Sequence, residues 1–233
     1  MRPILAVPLA LMILAAGWWF SEDPTRMGPV FDFLDEQIQS SEEAPPLVGM
    51  QSDERWLVVV VDFPNFPENS FRNVEKAEVI LSGSNGADDY IDQASAGTSS
   101  LSVTVVPAVY HAQEHDSYWG RDDGDFRDAG VEGSHGPADL VESVIKNSLD
   151  GVNLSEFDLN GDGWVDRFLV MHTADTQENS GGKGRIWSHF GPLPEPVTIG
   201  EHKFDHFTIS GFDSGLGTVV HEMLRQMGAL DLY

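Results

Sequence analysis

Residues 56–61 read Trp-Leu-Val-Val-Val-Val, and Phe63-Pro64-Asn65-Phe66-Pro67 ends the run. A strand with one wet face alternates apolar and polar side chains; this one does not alternate, so it is a buried strand. A chain holding such a strand must cover it with other elements.

Asn73 to Leu81 has helical spacing with Val74, Ala77, Ile80 and Leu81 on one side, and Ala87 to Ala94 predicts a second helix, with Gly83 and Gly86 between them. Ser100 to Tyr110 carries Leu101, Val103 and Val105 at alternate positions, the period of a half-buried strand. Residues 111–136 follow as an irregular loop dense in His, Asp and Gly, and a loop of that length is either functional or mobile. Pro137 to Leu149 predicts a helix with Pro near its start and Leu140, Val141, Val144, Ile145 and Leu149 on its buried side. Phe168-Leu169-Val170-Met171 is another buried strand, Phe204 to Ile209 a further strand, and Gly217 to Gly228 a final helix. No internal repeat appears, and the expected fold class is α/β (α+β) with a mixed sheet.

The amino terminus has Arg2 followed by an uncharged run from Pro3 to Phe20 and then acidic residues. Residues 1–20 are therefore an export signal, either cleaved near Ala15-Ala16-Gly17 or retained as an anchor through residues 3–20. Residues 21–50, rich in Ser, Glu, Pro and Asp, read as a flexible linker or short pro-like segment, and 51–233 as the domain. The absence of Cys removes disulfides and thiolate ligands, so any metal must be held by His and carboxylates. A formal net charge of -25, from 38 acidic against 13 basic residues, argues against nucleic acid as a partner.

The last thirteen residues carry the chemistry: His221-Glu222-Met223-Leu224-Arg225, then Gly228 and Asp231. In the H-E-x-x-H helix of zinc proteases, two His at i and i+4 share one helix face and bind the metal while the Glu is the general base. His221 and Glu222 occupy their places, but Arg225 stands where the second His belongs. Arg has no lone pair for a metal and stays protonated at any working pH. Its charge near a dication costs on the order of several kcal/mol at an effective dielectric of about 20. The i,i+3 spacing instead lets Arg225 pair with Glu222, and Asp231 is a second carboxylate within its reach. A His-Glu dipeptide alone is far more often surface or core filling than chemistry.

The segment resembles the immune inhibitor A family of secreted bacterial and archaeal zinc metallopeptidases, whose site reads close to H-E-x-G-H-x-L-G-L-P-D-L-Y-D, and Asp231-Leu232-Tyr233 fits its ending. Trp56 to Pro64 is similar to that family's first core strand, Asp158 to Asp166 to its acidic loop, and Ile186-Trp187-Ser188-His189 to a further segment. The resemblance implies a zincin-like domain with an active-site helix, acting on protein or peptide substrates, with His221 and Asp231 as zinc ligands and Glu222 as base. It departs at Arg225, at Ala229-Leu230, which lacks the family's Pro, and at Ala96, where an aromatic is usual. The family pattern also continues past Tyr233, so the domain is expected to be cut short after the motif helix, exposing Leu224, Met227 and Leu230. Three readings stand: an impaired metallopeptidase, an inactive peptide-binding or regulatory relative, and a truncated remnant.

Asp158-Leu159-Asn160-Gly161-Asp162-Gly163-Trp164-Val165-Asp166 matches a calcium loop. Oxygen side chains stand at positions 1, 3, 5 and 9, the Trp164 carbonyl serves position 7, Gly163 makes the sharp turn and Val165 anchors the loop. Leu169 replaces the usual Glu at position 12, and an Asx-rich turn is the plainer account. His172, His189, His202 and His206 are conceivable rescue ligands for zinc, each more simply an ordinary polar or core His. His111, His115 and His135 are a second conceivable cluster, more simply a solvated loop.

Overall fold

The computed structural model describes residues 45–180 and 182–230. The segments 1–44 and 231–233, and with them the export signal, most of the linker and Asp231, lie outside the described residues.

The apolar run forms β1 (Asp53–Asp62), with every residue from Trp56 to Val61 fully buried. The reason for the missing alternation is plain. Leu57, Val59 and Val61 enter one core cluster, whereas Trp56, Val58 and Val60 enter another on the opposite face. Helices α1 (Val74–Ser82) and α2 (Ala87–Ala94) cover the second face. Asn73 caps α1 by accepting the Lys76 N–H at 3.0 Å. Helix α3 (Pro137–Ser148) covers the first face with Leu140, Val141, Val144 and Ile145. Gly136 precedes it at φ 61, where a Cβ would stand 1.9 Å from the Asp128 carbonyl oxygen, so the approach of the long loop to this helix requires glycine.

The predicted strand over 100–110 is two strands, β2 (Ser100–Val105) and β3 (Tyr110–His111), both parallel to β1. Pro107 has no N–H to continue the ladder, so the chain leaves β1 after Val106 and rejoins it at Val61 and Asp62. β4 (Phe168–His172) lies parallel on the other side of β1, and the short helix α4 (Gln177–Ser180) follows it. β5 (His189–Ile199) and β6 (His202–Gly211) form a hairpin, with β6 parallel to β4 and β5 antiparallel at the edge. The order is β2-β1-β4-β6-β5, with β3 continuing the β2 side, a mixed six-stranded sheet in an α+β fold. Sequence reading missed β5 because Pro192, Pro194 and Pro196 argue against a strand. They are tolerated at a sheet edge, and the register shifts between Pro192 and Val197.

One buried ion pair fastens several of these elements. Arg167 and Glu54 are both fully buried, with Arg167 Nε donating to Glu54 Oε2 at 2.7 Å and Nη2 to Oε1 at 3.2 Å. The remaining guanidinium donors reach the carbonyls of Val48 and Gly49 at 2.9 and 3.1 Å and those of Asp166 and Gln226 at 3.1 and 3.4 Å. Residues 48–49, at the end of the stretch read as linker, are thereby tied to the domain. Among the described residues no helix is long and apolar enough to cross a membrane.

Candidate active site

The motif lies on α5 (Leu216–Gln226), which starts at Gly215 with φ 80. Val219, Val220 and Met223 bury one stripe of this helix against Leu169 and Met171 of β4. Met227, expected to be exposed, is buried in the same cluster because the helix end turns it onto the sheet; Leu224 is half-buried and Leu230 exposed.

Polar groups underlie the other part of the helix. The Gln226 side chain, fully buried, donates to Thr208 Oγ1 and the Phe168 carbonyl at 2.8 and 3.2 Å, and accepts from His206 Nε2 and the Phe168 N–H at 3.2 and 3.3 Å. Thr208 Oγ1 also lies 3.4 Å from the Glu222 carbonyl. Ser188, Ser210 and Ser214 hydroxyls bond one another at 2.8 to 3.1 Å beneath the start of the helix.

Glu222 is 5% exposed. Its Oε2 accepts the Phe190 N–H of β5 at 2.9 Å and Nη1 of Arg225 at 3.2 Å, while Oε1 lies 3.8 Å from His221 Nε2. Burial raises the Glu222 pKa, opposed by the Phe190 N–H and by the Arg225 and His221 charges. The i,i+3 contact expected from spacing is thus made, and the general-base candidate holds a guanidinium.

His189 stands at the start of β5, beside this pair. Its Nδ1 is 2.8 Å from the Trp187 carbonyl and 3.6 Å from Asp128 Oδ2, and its ring meets Phe207 edge-on at 5.5 Å. Burial lowers its pKa, and Arg225 lowers it further. The other rescue candidates are employed elsewhere. His206 bonds Asp205 through Nδ1, and its Nε2 faces Gln226 and the Asp166 carbonyl. His202 lines a cleft formed with α3 and the β5–β6 turn, which no residue of α5 lines. His172 is fully buried against Phe63, and burial holds its pKa at about 4 against the nearby Asp213, Glu178 and Asp116 charges. Strand alternation sends it away from α5, because Met171 beside it faces that helix.

The loop of 111–136 is pinned at several points. His111 Nδ1 meets Asp62 at 2.8 Å, His135 Nδ1 meets Asp139 at 3.1 Å, and fully buried Asp116 holds Arg185 at 2.7 Å. His115 contributes its carbonyl to the turn at Tyr118. The His111 and His135 side chains thus serve separate contacts, with Asp62 and Asp139, rather than one centre. Asp128, at φ 50, accepts the Trp187 N–H at 3.0 Å, and burial, with Asp122 and Glu178 nearby, raises its pKa to about 8. No local sequence signal could have paired these residues, since 59 positions separate them.

In the 158–166 loop, Asp158 Oδ1 accepts the N–H groups of Gly161 and Asp162 at 2.7 and 3.1 Å, and Oδ2 that of Gly163 at 2.9 Å. Asp162 Oδ1 accepts from Trp164 at 2.9 Å, Asn160 Nδ2 donates to Asp162 Oδ2 at 2.9 Å, and Asp166 Oδ2 accepts from Leu159 at 2.6 Å. Val165 is buried and bonds the Lys203 carbonyl, anchoring the loop to β6. Burial raises Asp166 to about 6, with Asp162 and Asp158 adding to the rise. Among the described residues no three His, Asp or Glu side chains converge as a metal-holding group.

No family model matches the chain. Among curated proteins it is similar to "Immune inhibitor A" of Bacillus thuringiensis subsp. alesti, 26% identical over 267 aligned positions that take in 90% of this chain and 38% of that relative. The chain therefore spans about two-fifths of the length of the curated relative it matches. The likeness supports a distant peptidase-family relationship.

Asp128 makes stability depend on pH. Its folded-state pKa of about 8 lies above its ordinary 3.8, so the folded protein holds this proton more tightly. The resulting stability is complete below pH 3.8 and is lost as pH rises through 8. Asp128→Asn, which keeps an acceptor for Trp187 and suits positive φ, should match the parent near pH 4 and exceed it at pH 9 by on the order of a few kcal/mol in urea denaturation. Equal stabilities at pH 9 would contradict the assignment.

Proposed function

We propose that this chain is an exported relative of zinc metalloendopeptidases, on a zincin-like scaffold, in which the metal site has been replaced by an internal ion pair. The observation that carries the reading is the Arg225 guanidinium 3.2 Å from Glu222 Oε2. A catalytic zinc takes three protein ligands and keeps one position open for the water it activates. Arg225 contributes no ligand at the position where the second one belongs, and its charge opposes a dication there. Its guanidinium also sits on Glu222 Oε2 and lowers the basicity that a general base needs. His221, Glu222 and Arg225 therefore do not fit zinc, and Asp231 alone would not complete the set. Peptide hydrolysis is accordingly absent or severely impaired in the chain as it stands.

A protein or peptide remains the partner class that this scaffold suits, and nucleic acid is disfavoured by the net charge of -25. The edge position of β5, beside Glu222, favours a second reading in which an extended segment pairs with β5 and is held rather than cut. Residues 3–20 supply export and, if retained, an anchor on the outer face of the membrane.

Restoring the ligand tests the main reading. The parent chain should leave casein intact. Arg225→His should gain bound zinc and chelator-sensitive hydrolysis roughly tenfold or more above the parent. Chelator-sensitive hydrolysis by the parent chain would refute the replacement.

Calcium belongs to the same proposal, at Asp158, Asn160, Asp162, the Trp164 carbonyl and Asp166. The turn hydrogen bonds already curl the loop around Asp158, and calcium would relieve the mutual repulsion of the three Asp. Calcium at a hundredfold excess over its Kd should stabilise the fold by about 2–3 kcal/mol, read as a higher melting temperature. Asp158→Ala should abolish the shift, and a parent chain insensitive to millimolar calcium would remove calcium from the account.

A further inference from the structure

Asn153-Leu154-Ser155 is the chain's one Asn-x-Ser/Thr sequence, and the middle residue is not Pro. It lies on the turn between α3 and the 158–166 loop. Leu154–Glu156 form a single 3-10 turn there, with Leu154 buried as its anchor and Asn153 and Ser155 exposed on either side. Ser155 Oγ donates to Asn153 Oδ1 at 2.7 Å, and Asn153 Nδ2 donates to Glu156 Oε1 at 2.9 Å.

We propose that Asn153 is an N-glycosylation site, taking an oligosaccharide from a polyprenyl-phosphate-linked donor. The proposal rests on the export reading, since only an exported chain meets that class of donor. The hydroxyl that the sequence requires two residues on is engaged with the acceptor amide itself. Its proton on Oδ1 polarises the amide and the carboxylate of Glu156 draws on Nδ2. In the transfer Nδ2 forms a bond to the anomeric carbon, the bond from that carbon to the donor phosphate breaks with its electron pair going to the phosphate oxygen, and one amide proton passes to solvent as the lipid phosphate departs. The product amide keeps one N–H, so the bond to Glu156 survives and the turn need not rearrange.

The surroundings leave room for the sugar. Asn153 borders an open cavity of about 470 Å3, with Lys146, Asp150, Glu201 and His202 among its polar lining and Ile145 and Leu149 below. Hydroxyls and an apolar sugar face both find partners in such a lining. The other seven Asn lack a Ser or Thr two positions on, which makes the prediction specific to one residue.

The test is peptide mass spectrometry on full-length protein from its own host, recovered separately from outside the cell and from the cytosol. Trypsin should release the peptide from Asn147 to Arg167, which also carries Asn147 and Asn160 as internal controls. The expected result is a saccharide mass on Asn153 of the exported protein, removed by Asn153→Gln and by Ser155→Ala and retained in Ser155→Thr. Unmodified peptide on exported protein would overturn glycosylation and leave export standing. Unmodified protein confined to the cytosol would overturn both.

Discussion

A single guanidinium ties together the parts of this fold that matter for its site. Arg167 is fully buried, and its charge is matched by the equally buried Glu54 at the start of β1. Burying two charges costs several kcal/mol each, and the cost is offset only when geometry is good and the remaining donors are bonded. Here the fork meets the carboxylate bidentately and the other donors reach four carbonyls, from residues 48 and 49, from Asp166 at the end of the acidic loop, and from Gln226 at the end of the motif helix. Removing either partner would leave a bare charge in a dry interior. The amino-terminal strap, the central strand, the acidic loop and the motif helix therefore share one anchor.

That anchor fixes one end of α5, and a layer of polar side chains fixes the rest. Gln226, Thr208 and His206 exchange hydrogen bonds under the helix, and the Phe190 N–H of the edge strand holds Glu222. The motif side chains consequently stand on a rigid surface. Arg225 fits into this surface without disturbing it, because one turn of helix brings it against Glu222. Arg225 thereby gives the buried Glu222 carboxylate a resident counter-charge. Without Arg225 the buried Glu222 carboxylate, its pKa raised by burial, would keep the Phe190 N–H and lose its nearest cation.

Much of the fold was legible because its signals are local. The apolar run of β1, the 3.6-residue stripes of α1 and α3, the motif that marks α5, and the apolar β4 each declare themselves within a dozen residues. β5 was hidden by three prolines, which disqualify a central strand but not an edge, and edge position is a tertiary fact. The split between β2 and β3 depends in the same way on Pro107 meeting a ladder that sequence alone does not display. At the site, the Arg225–Glu222 contact follows from helix geometry. By contrast, the hold of Asp128 on Trp187 and of Arg167 on Gln226 joins residues 59 positions apart, where spacing carries no information. The rescue histidines were indistinguishable in sequence, and their separation rests on strand parity for His172 and on existing partners for His206.

The most direct test of the central claim is the zinc content of the full-length chain, purified without added metal or chelator and measured by elemental mass spectrometry. The ion-pair account predicts far less than one zinc per chain. One zinc per chain, retained through dialysis, would contradict it and would show that Arg225 moves aside for a metal.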